Sequence, residues 1–376
     1  MGVSILWSWS RYHCYKQDKW EYYLKYILHE KEDRTNSIYC VSGGNVHDII
    51  ENLYTGKIKY EDMSEAYEDS LFTMNCAELK YNRSDSEKND AIAYKYENCI
   101  RHFFKHHNEI KHPHTVEKFI TVKIADGIYM QGYIDMMYVE PYVDSEGNQR
   151  KRIHIVDWKT STRYQGKKIE QEAGQLLIYI EGKRQALNVS LEDIVGEWNF
   201  LKYVTVTYEQ KNGTKKDRCV ERNAIGESLI NTAKMWLKHF GYEDDIEKYT
   251  DEMILNNNID CLPQEVREKF VITDCYVQVP LSKEKIEDLK SDIVETIEEI
   301  NSKVDEYSKT KDENLFWQDV TDADEFRLAT LSGYSRVKHK PYDLYLKGKE
   351  LFVDDKQTDS DETSEEDDLL AFINSL

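Results

Sequence analysis

Apolar positions change their period repeatedly along this chain. Up to residue 115 they follow helical spacing. Ser8 or Ser10 can cap a helix that continues through Trp20-Glu21-Tyr22-Tyr23-Leu24-Lys25-Tyr26-Ile27, and Ser42-Gly43-Gly44 opens a second over 46–54. Stretches 60–80 and 88–111 have helical composition, and His112-Pro113 ends the last of them. Then Ile, Val, Tyr and Met dominate 118–124, 128–139 and 152–159. Asp126-Gly127 and a polar connection with Pro141 and Gly147 separate these runs, a pattern that predicts an antiparallel meander. Helical spacing returns over 167–187. A hairpin follows, 199–208 and 215–222 around Asn212-Gly213, then helices with an extra strand at 276–281 and a long charged helix at 282–308. The elements predict an α/β fold: a mixed sheet built from the 118–159 strands and the 199–222 hairpin, flanked by helices and followed by a helical annex.

Composition narrows this picture. The chain has 376 residues, with 27 tyrosines and 7 tryptophans, and aromatic richness of that order marks a packed core rather than a disordered chain. No apolar run is long enough to span a bilayer, and the N-terminus has no basic leader, so the expected setting is cytoplasmic, without a membrane partner. Seven cysteines, at 14, 40, 76, 99, 219, 261 and 275, form no Cys-x-x-Cys. That odd count without an export signal predicts reduced thiols, and the spacing disfavours zinc ribbons and fingers. The net charge is −21, of which residues 354–376 contribute 1 − 9 = −8. A nucleic-acid site must therefore be a local basic groove. Residues 354–376 predict a disordered acidic tail ending in an apolar tip, 369–373, suited either to no function or to docking a replication or recombination protein.

The candidate chemistry lies in the strands. Period two puts Asp157 and Lys159 on one face and Trp158 on the other, and Asp135 ends a similar alternation on the preceding strand. Two carboxylates brought together repel unless a divalent cation lies between them, and oxygen ligands favour Mg²⁺ or Mn²⁺. An ammonium beside them can orient a nucleophile or stabilise charge building on phosphorus. On these residues alone, a structural ion pair remains open beside catalysis. Asp288-Leu289-Lys290 repeats the triplet in a charged helix and reads as a solvated face. His102 and His106 have zinc-compatible spacing but no accompanying carboxylate or cysteine pattern, and read as a helix surface.

Five segments resemble, in order, the RecB-type branch of the PD-(D/E)XK nuclease superfamily. They are Ser8-Trp9-Ser10-Arg11-Tyr12 with Cys14 and Tyr22-Tyr23-Leu24-Lys25-Tyr26; Gly44-Asn45-Val46-His47; Gly132-Tyr133-Ile134-Asp135; Val156-Asp157-Trp158-Lys159-Thr160-Ser161; and Gln175-Leu176-Leu177-Ile178-Tyr179. The resemblance implies a restriction-endonuclease-like core and Mg²⁺- or Mn²⁺-dependent hydrolysis of DNA, as an exonuclease on ends or single strands serving recombination, repair or replication. It further implies His47, Asp135, Asp157 and the Trp158 carbonyl as metal ligands, Lys159 as catalytic, and Gln175, Tyr179, Thr160, Ser161 and Arg163 as DNA-positioning residues. Cys14 matches an iron–sulfur ligand of some relatives, but Cys261 and Cys275 are far apart and no cysteine follows, so no cluster is expected. The absence of a Gly-x-x-x-x-Gly-Lys loop fits a stand-alone nuclease or a subunit serving a separate motor, and the expected setting is a phage or mobile element in a bacterial or phage-infected cell.

The expected division is a helical part carrying His47 (1–115), the nuclease core (116–225), a mainly helical region (226–353) and the tail (354–376). Two rivals stay open: a catalytically silent nucleic-acid- or protein-binding module of the same fold, and an assembly protein with an acidic surface.

Overall fold

A computed structural model describes residues 6–34, 37–82 and 85–356. The chain divides into two compact units: Met1–Cys40 with Lys123–Gln131 and Glu287–Leu376, and Val41–Val122 with Gly132–Ile286. The sequence cuts at 115/116, 225/226 and 353/354 do not coincide with these units, because each unit collects segments far apart in the chain.

In the first unit a short strand, β1 (Leu6–Ser8), pairs parallel with Tyr129–Gln131. Ser8, with extended backbone, caps α1 (Trp9–Gln17) by accepting the Arg11 N–H at 3.2 Å. The predicted run through residue 27 is interrupted at Asp18. Its carboxylate accepts the Glu21 N–H at 2.9 Å and starts α2 (Lys19–Tyr22), which passes into a π-helical turn over Tyr23–Ile27. The same buried carboxylate is held by Arg327 at 2.7 Å and His339 at 2.9 Å. These partners set its position more firmly than helix propensity does, and they keep its pKa low, at about 2, against the opposing effect of burial.

The chain continues through α3 (Ile38–Tyr54), α4 (Met63–Cys76), α5 (Ser86–His106), β2 (His114–Ala125), β3 (Ile128–Val143), β4 (Gln149–Lys159), α6 (Lys167–Glu172), α7 (Gly174–Leu187), β5 (Ile194–Glu209) and β6 (Lys215–Glu221). Then come α8 (Ile225–His239), α9 (Ile246–Asn256), α10 (Gln264–Arg267), β7 (Phe270–Gln278), α11 (Lys283–Thr310) and α12 (Lys340–Lys356). Three predicted bounds move. Helix α3 starts at Ile38 and carries Gly43 and Gly44 inside it, because burial of Val46, Ile49 and Ile50 outweighs the roughly 1 kcal/mol each glycine costs a helix. Helix α5 stops at His106, where His107 turns extended and stacks on Phe103. Strand β7 begins six residues before the predicted 276.

In the second unit the sheet is mixed. β3 and β4 run antiparallel, from Met136 opposite Val156 to Val143 opposite Gln149. β4 and β5 run parallel, with Asp157 opposite Trp198 and Lys159 opposite Phe200. β6 and β7 both lie antiparallel to β5, and β2 pairs with β3. A parallel pair needs a long crossover, and α6 and α7 supply it. From Leu176 to Lys183 every residue of α7 is buried, so this helix is enclosed rather than amphipathic. Gly182 allows the close approach: a Cβ there would lie within 2.6 Å of Val122 and Ile120 side-chain carbons. Helices α8 and α9 pack directly on the sheet. Leu229, Ala233, Trp236, Leu237 and Met253 share one core with Val204, Val206 and Val220 of the sheet. No described helix is long and apolar enough to cross a membrane. The first three residues of the predicted tail end α12, and 357–376, including the 369–373 tip, lie outside the described residues.

One buried polar group gives this sheet a pH dependence. His154 of β4 is clasped between Glu197 (Nδ1 to Oε1, 2.9 Å) and Glu140 (Nε2 to Oε1, 3.0 Å), with the Tyr138 ring stacked on it at 4.4 Å. Burial works against its charge, but the two carboxylates prevail and raise its pKa. A histidine whose folded pKa is raised adds stability that is complete below the unfolded value, near 6.5, and disappears as pH climbs through the folded value. The melting temperature should therefore fall as pH rises above about 6.5. His154→Gln should flatten that part of the profile, and an unchanged profile in the variant would show that another group controls it.

Candidate active site

Asp135 and Asp157 lie one residue beyond the Met136–Val156 pair, at the ends of the β3–β4 register. A single dipeptide engages both. The Trp158 N–H donates to Asp135 Oδ2 at 3.0 Å, and Lys159 Nζ stands 2.6 Å from Asp157 Oδ2. The Asp157 side chain is only 5% exposed and that of Lys159 27%. Burial first, and then the Asp157 charge, push the Asp135 pKa well above the usual carboxylate range. For Lys159, burial acts to lower the pKa, but Asp157 and then Asp135 more than offset it, so the ammonium is held above its ordinary value.

His47 reaches this place from α3, 111 residues away in sequence from the backbone it touches. Its Nε2 donates to the Trp158 carbonyl at 2.9 Å, and its Nδ1 faces Asp135 Oδ2 at 3.4 Å. A carbonyl can only accept, so in the neutral imidazole the proton sits on Nε2 and a bare Nδ1 faces the Asp135 carboxyl. Burial meanwhile lowers the pKa of His47 itself, despite the opposing pull of Asp157. Trp158 is fixed on its other side, with its ring stacked on Tyr54 at 6.3 Å.

The third element is α7. Gln175 Nε2 donates to the Tyr179 hydroxyl at 3.2 Å, one helical turn on. Burial pushes the Tyr179 phenol up, and the charges of Asp135, Asp157 and Lys159 all act on it. A Cβ on Gly132 would lie 2.7 Å from that hydroxyl, so the glycine three residues before Asp135 is what lets Tyr179 lie against β3.

His47, Asp135, Asp157, Trp158, Lys159, Gln175 and Tyr179 thus converge as the sequence suggests. Arg163 does not join them. Its charge acts on the thiols of Cys219 and Cys275, whose Sγ atoms are 3.7 Å apart. Ser161 is exposed, and Thr160 Oγ1 lies near Gly43 of α3, 3.5 Å from where a Cβ would stand. His102 is not a plain surface residue either. It sits partly buried beside Arg222, whose charge adds to burial in holding its pKa down to about 3. Three carboxylates escaped the sequence reading. Glu117 acts on Asp135, and Asp48 and Glu51 act on Glu117. Glu51 stands one turn after His47, a spacing that could have flagged it. Glu117 carries no sequence signal, although its left-handed backbone, φ 47° within β2, sets it apart.

Does this set suit a divalent cation? Among the described residues no three His, Cys, Asp or Glu side chains form a ready-made cage. The donors are instead paired with one another: His47 with the Trp158 carbonyl, Lys159 with Asp157. The donor set favours a cation all the same: Asp157 is almost wholly buried, and Asp135 is destabilised by this second carboxylate beside it. A hard cation answers that need with the oxygen ligands it prefers. Residues 6–312 match the PD-(D/E)XK nuclease superfamily. No curated protein matches the chain.

Proposed function

Because this chain belongs to the PD-(D/E)XK nuclease superfamily, we propose that it is a divalent-metal-dependent deoxyribonuclease acting on DNA ends or single strands. The observation that carries the reading is the pairing of two neighbouring carboxylates, Asp135 and Asp157, with one ammonium, Lys159, where the β3–β4 pairing ends. A structural ion pair needs one acid for one base. A second carboxylate with a raised pKa is a cost to the fold that metal binding repays.

Asp135, Asp157 and the Trp158 carbonyl would hold Mg²⁺ or Mn²⁺, with His47 as a further ligand once its bond to that carbonyl opens. Such an ion supplies Lewis-acid polarisation of a phosphate and a bound water of lowered pKa. The chain's own residues do the rest. Lys159 presents a fixed positive charge to the phosphate oxygens or to the attacking water. Its ordinary partner, Asp157, keeps it protonated and aimed. Tyr179, seated against Gly132 and bonded to Gln175, limits how a strand can lie over β3. A role in recombination, repair or replication, in a phage or mobile element, belongs to this same proposal and comes from the RecB-like order of motifs.

End-labelled single-stranded, blunt duplex and circular DNA, each incubated with and without Mn²⁺, test the reading. Cleavage of the linear substrates only when metal is present is expected. Absence of cleavage on all three would favour the silent module.

A further inference from the structure

Two large aromatic side chains stand in water next to the site. Phe119 of β2 is 48% exposed and Tyr133 of β3 is 56% exposed, and their rings meet edge to face at 5.4 Å. Single exposed apolar residues are ordinary on protein surfaces, but a ring pair beside a catalytic strand is less so. Tyr133 precedes Asp135 by two residues, so their Cα atoms are about 6.5 Å apart along the strand, within reach of a single nucleotide. Phe119 follows by two residues Glu117, whose charge acts on Asp135.

The charge around the pair decides what it can receive. Glu117, with Asp48 and Glu51 acting on it, makes this side of the site unfavourable for phosphate. Uncharged aromatic faces suit an uncharged partner of the same shape. From this placement we infer that Phe119 and Tyr133 form a platform on which an unpaired nucleobase stacks, next to the phosphate that is cut. The substrate class is then a strand with free bases. A base inside a duplex has both faces covered and must first be unstacked, at a cost of a few kcal/mol. This rests on the nuclease reading and deepens it.

Fluorescence anisotropy of the full-length protein, in Ca²⁺ to suppress cleavage, would compare labelled oligothymidylate, the same oligonucleotide with abasic positions, and a blunt duplex. Stacking on aromatics is worth about 1–3 kcal/mol per base, so the Phe119→Ala/Tyr133→Ala double variant should lose about 5- to 150-fold in affinity for oligothymidylate. Its affinity for the abasic strand should stay that of the wild type. Tyr133→Phe, which keeps the ring, should bind as the wild type does and shows that the surface is intact. Equal binding of oligothymidylate by the wild type and the double variant overturns the platform, and so does an equal loss on the abasic strand. In either case the wild type still cleaves DNA with Mn²⁺, and the nuclease reading stands. A wild type that neither binds nor cleaves any of these nucleic acids overturns the nuclease reading, and the platform falls with it.

Discussion

Asp157→Ala and Lys159→Ala are each expected to lower metal-dependent DNA cleavage by about 100- to 1,000-fold or more, the loss typical when one group that stabilises transition-state charge is removed. The two variants should part company in stability. Without Lys159, the buried Asp157 carboxylate loses the ammonium 2.6 Å away and stays in a poorly solvated place, so the fold weakens. Without Asp157, Lys159 remains 27% exposed and can turn to water, and Asp135 loses the neighbouring charge that raises its pKa. Asp157→Ala should therefore melt at or above the wild-type temperature in metal-free buffer, and Lys159→Ala below it. Added Mn²⁺ should raise the melting temperature of the wild type and leave that of Asp157→Ala unmoved, since a ligand stabilises only the state that binds it. Wild-type cleavage rates in either variant would remove these residues from the chemistry.

The largest loss of stability is expected outside the β3–β4 pair, in Asp274→Ala. Asp274 of β7 and Arg222 pair with side chains only 3% and 1% exposed, and Asp274 also accepts the Asn108 N–H at 2.9 Å. The guanidinium packs over the Phe103 ring at 5.2 Å, where water has no access to it. Removing the carboxylate strands a charge that, unlike lysine, cannot be neutralised by losing its proton. Breaking a buried pair in this way costs about 3–5 kcal/mol. Urea denaturation followed by circular dichroism measures it, and a change below about 1 kcal/mol would mean that water reaches Arg222. Arg222→Met with Asp274→Leu should recover much of the loss, because apolar residues of similar size often replace a buried pair without penalty.

Local pattern carried a good share of this molecule. Period-two runs located β3 and β4, Asn212-Gly213 located the β5–β6 turn, and the spacing of Gln175 and Tyr179 put both on one side of α7. Asp157 and Lys159 were legible as a pair because alternation along a strand projects residues i and i+2 to the same side. Elements were misjudged where a distant group took control. The helix at residue 18 stops for Arg327 and His339, more than 300 positions away, and α3 runs on through two glycines because its far side is buried.

What the residue order determined by itself was therefore the kind of site: two acids and a lysine on neighbouring strands, a histidine on a helix, a glutamine and tyrosine one turn apart. Backbone periodicity is a short-range property, and these features need only short-range information. Tertiary structure alone decided the partners. It brought His47 to the Trp158 carbonyl, set Tyr179 on Gly132, sent Arg163 to the cysteine pair and placed Glu117 within electrostatic range of Asp135. Each of these depends on burial and on close approach between segments distant in sequence, which strengthen or weaken a charge by several-fold and leave no trace in local spacing.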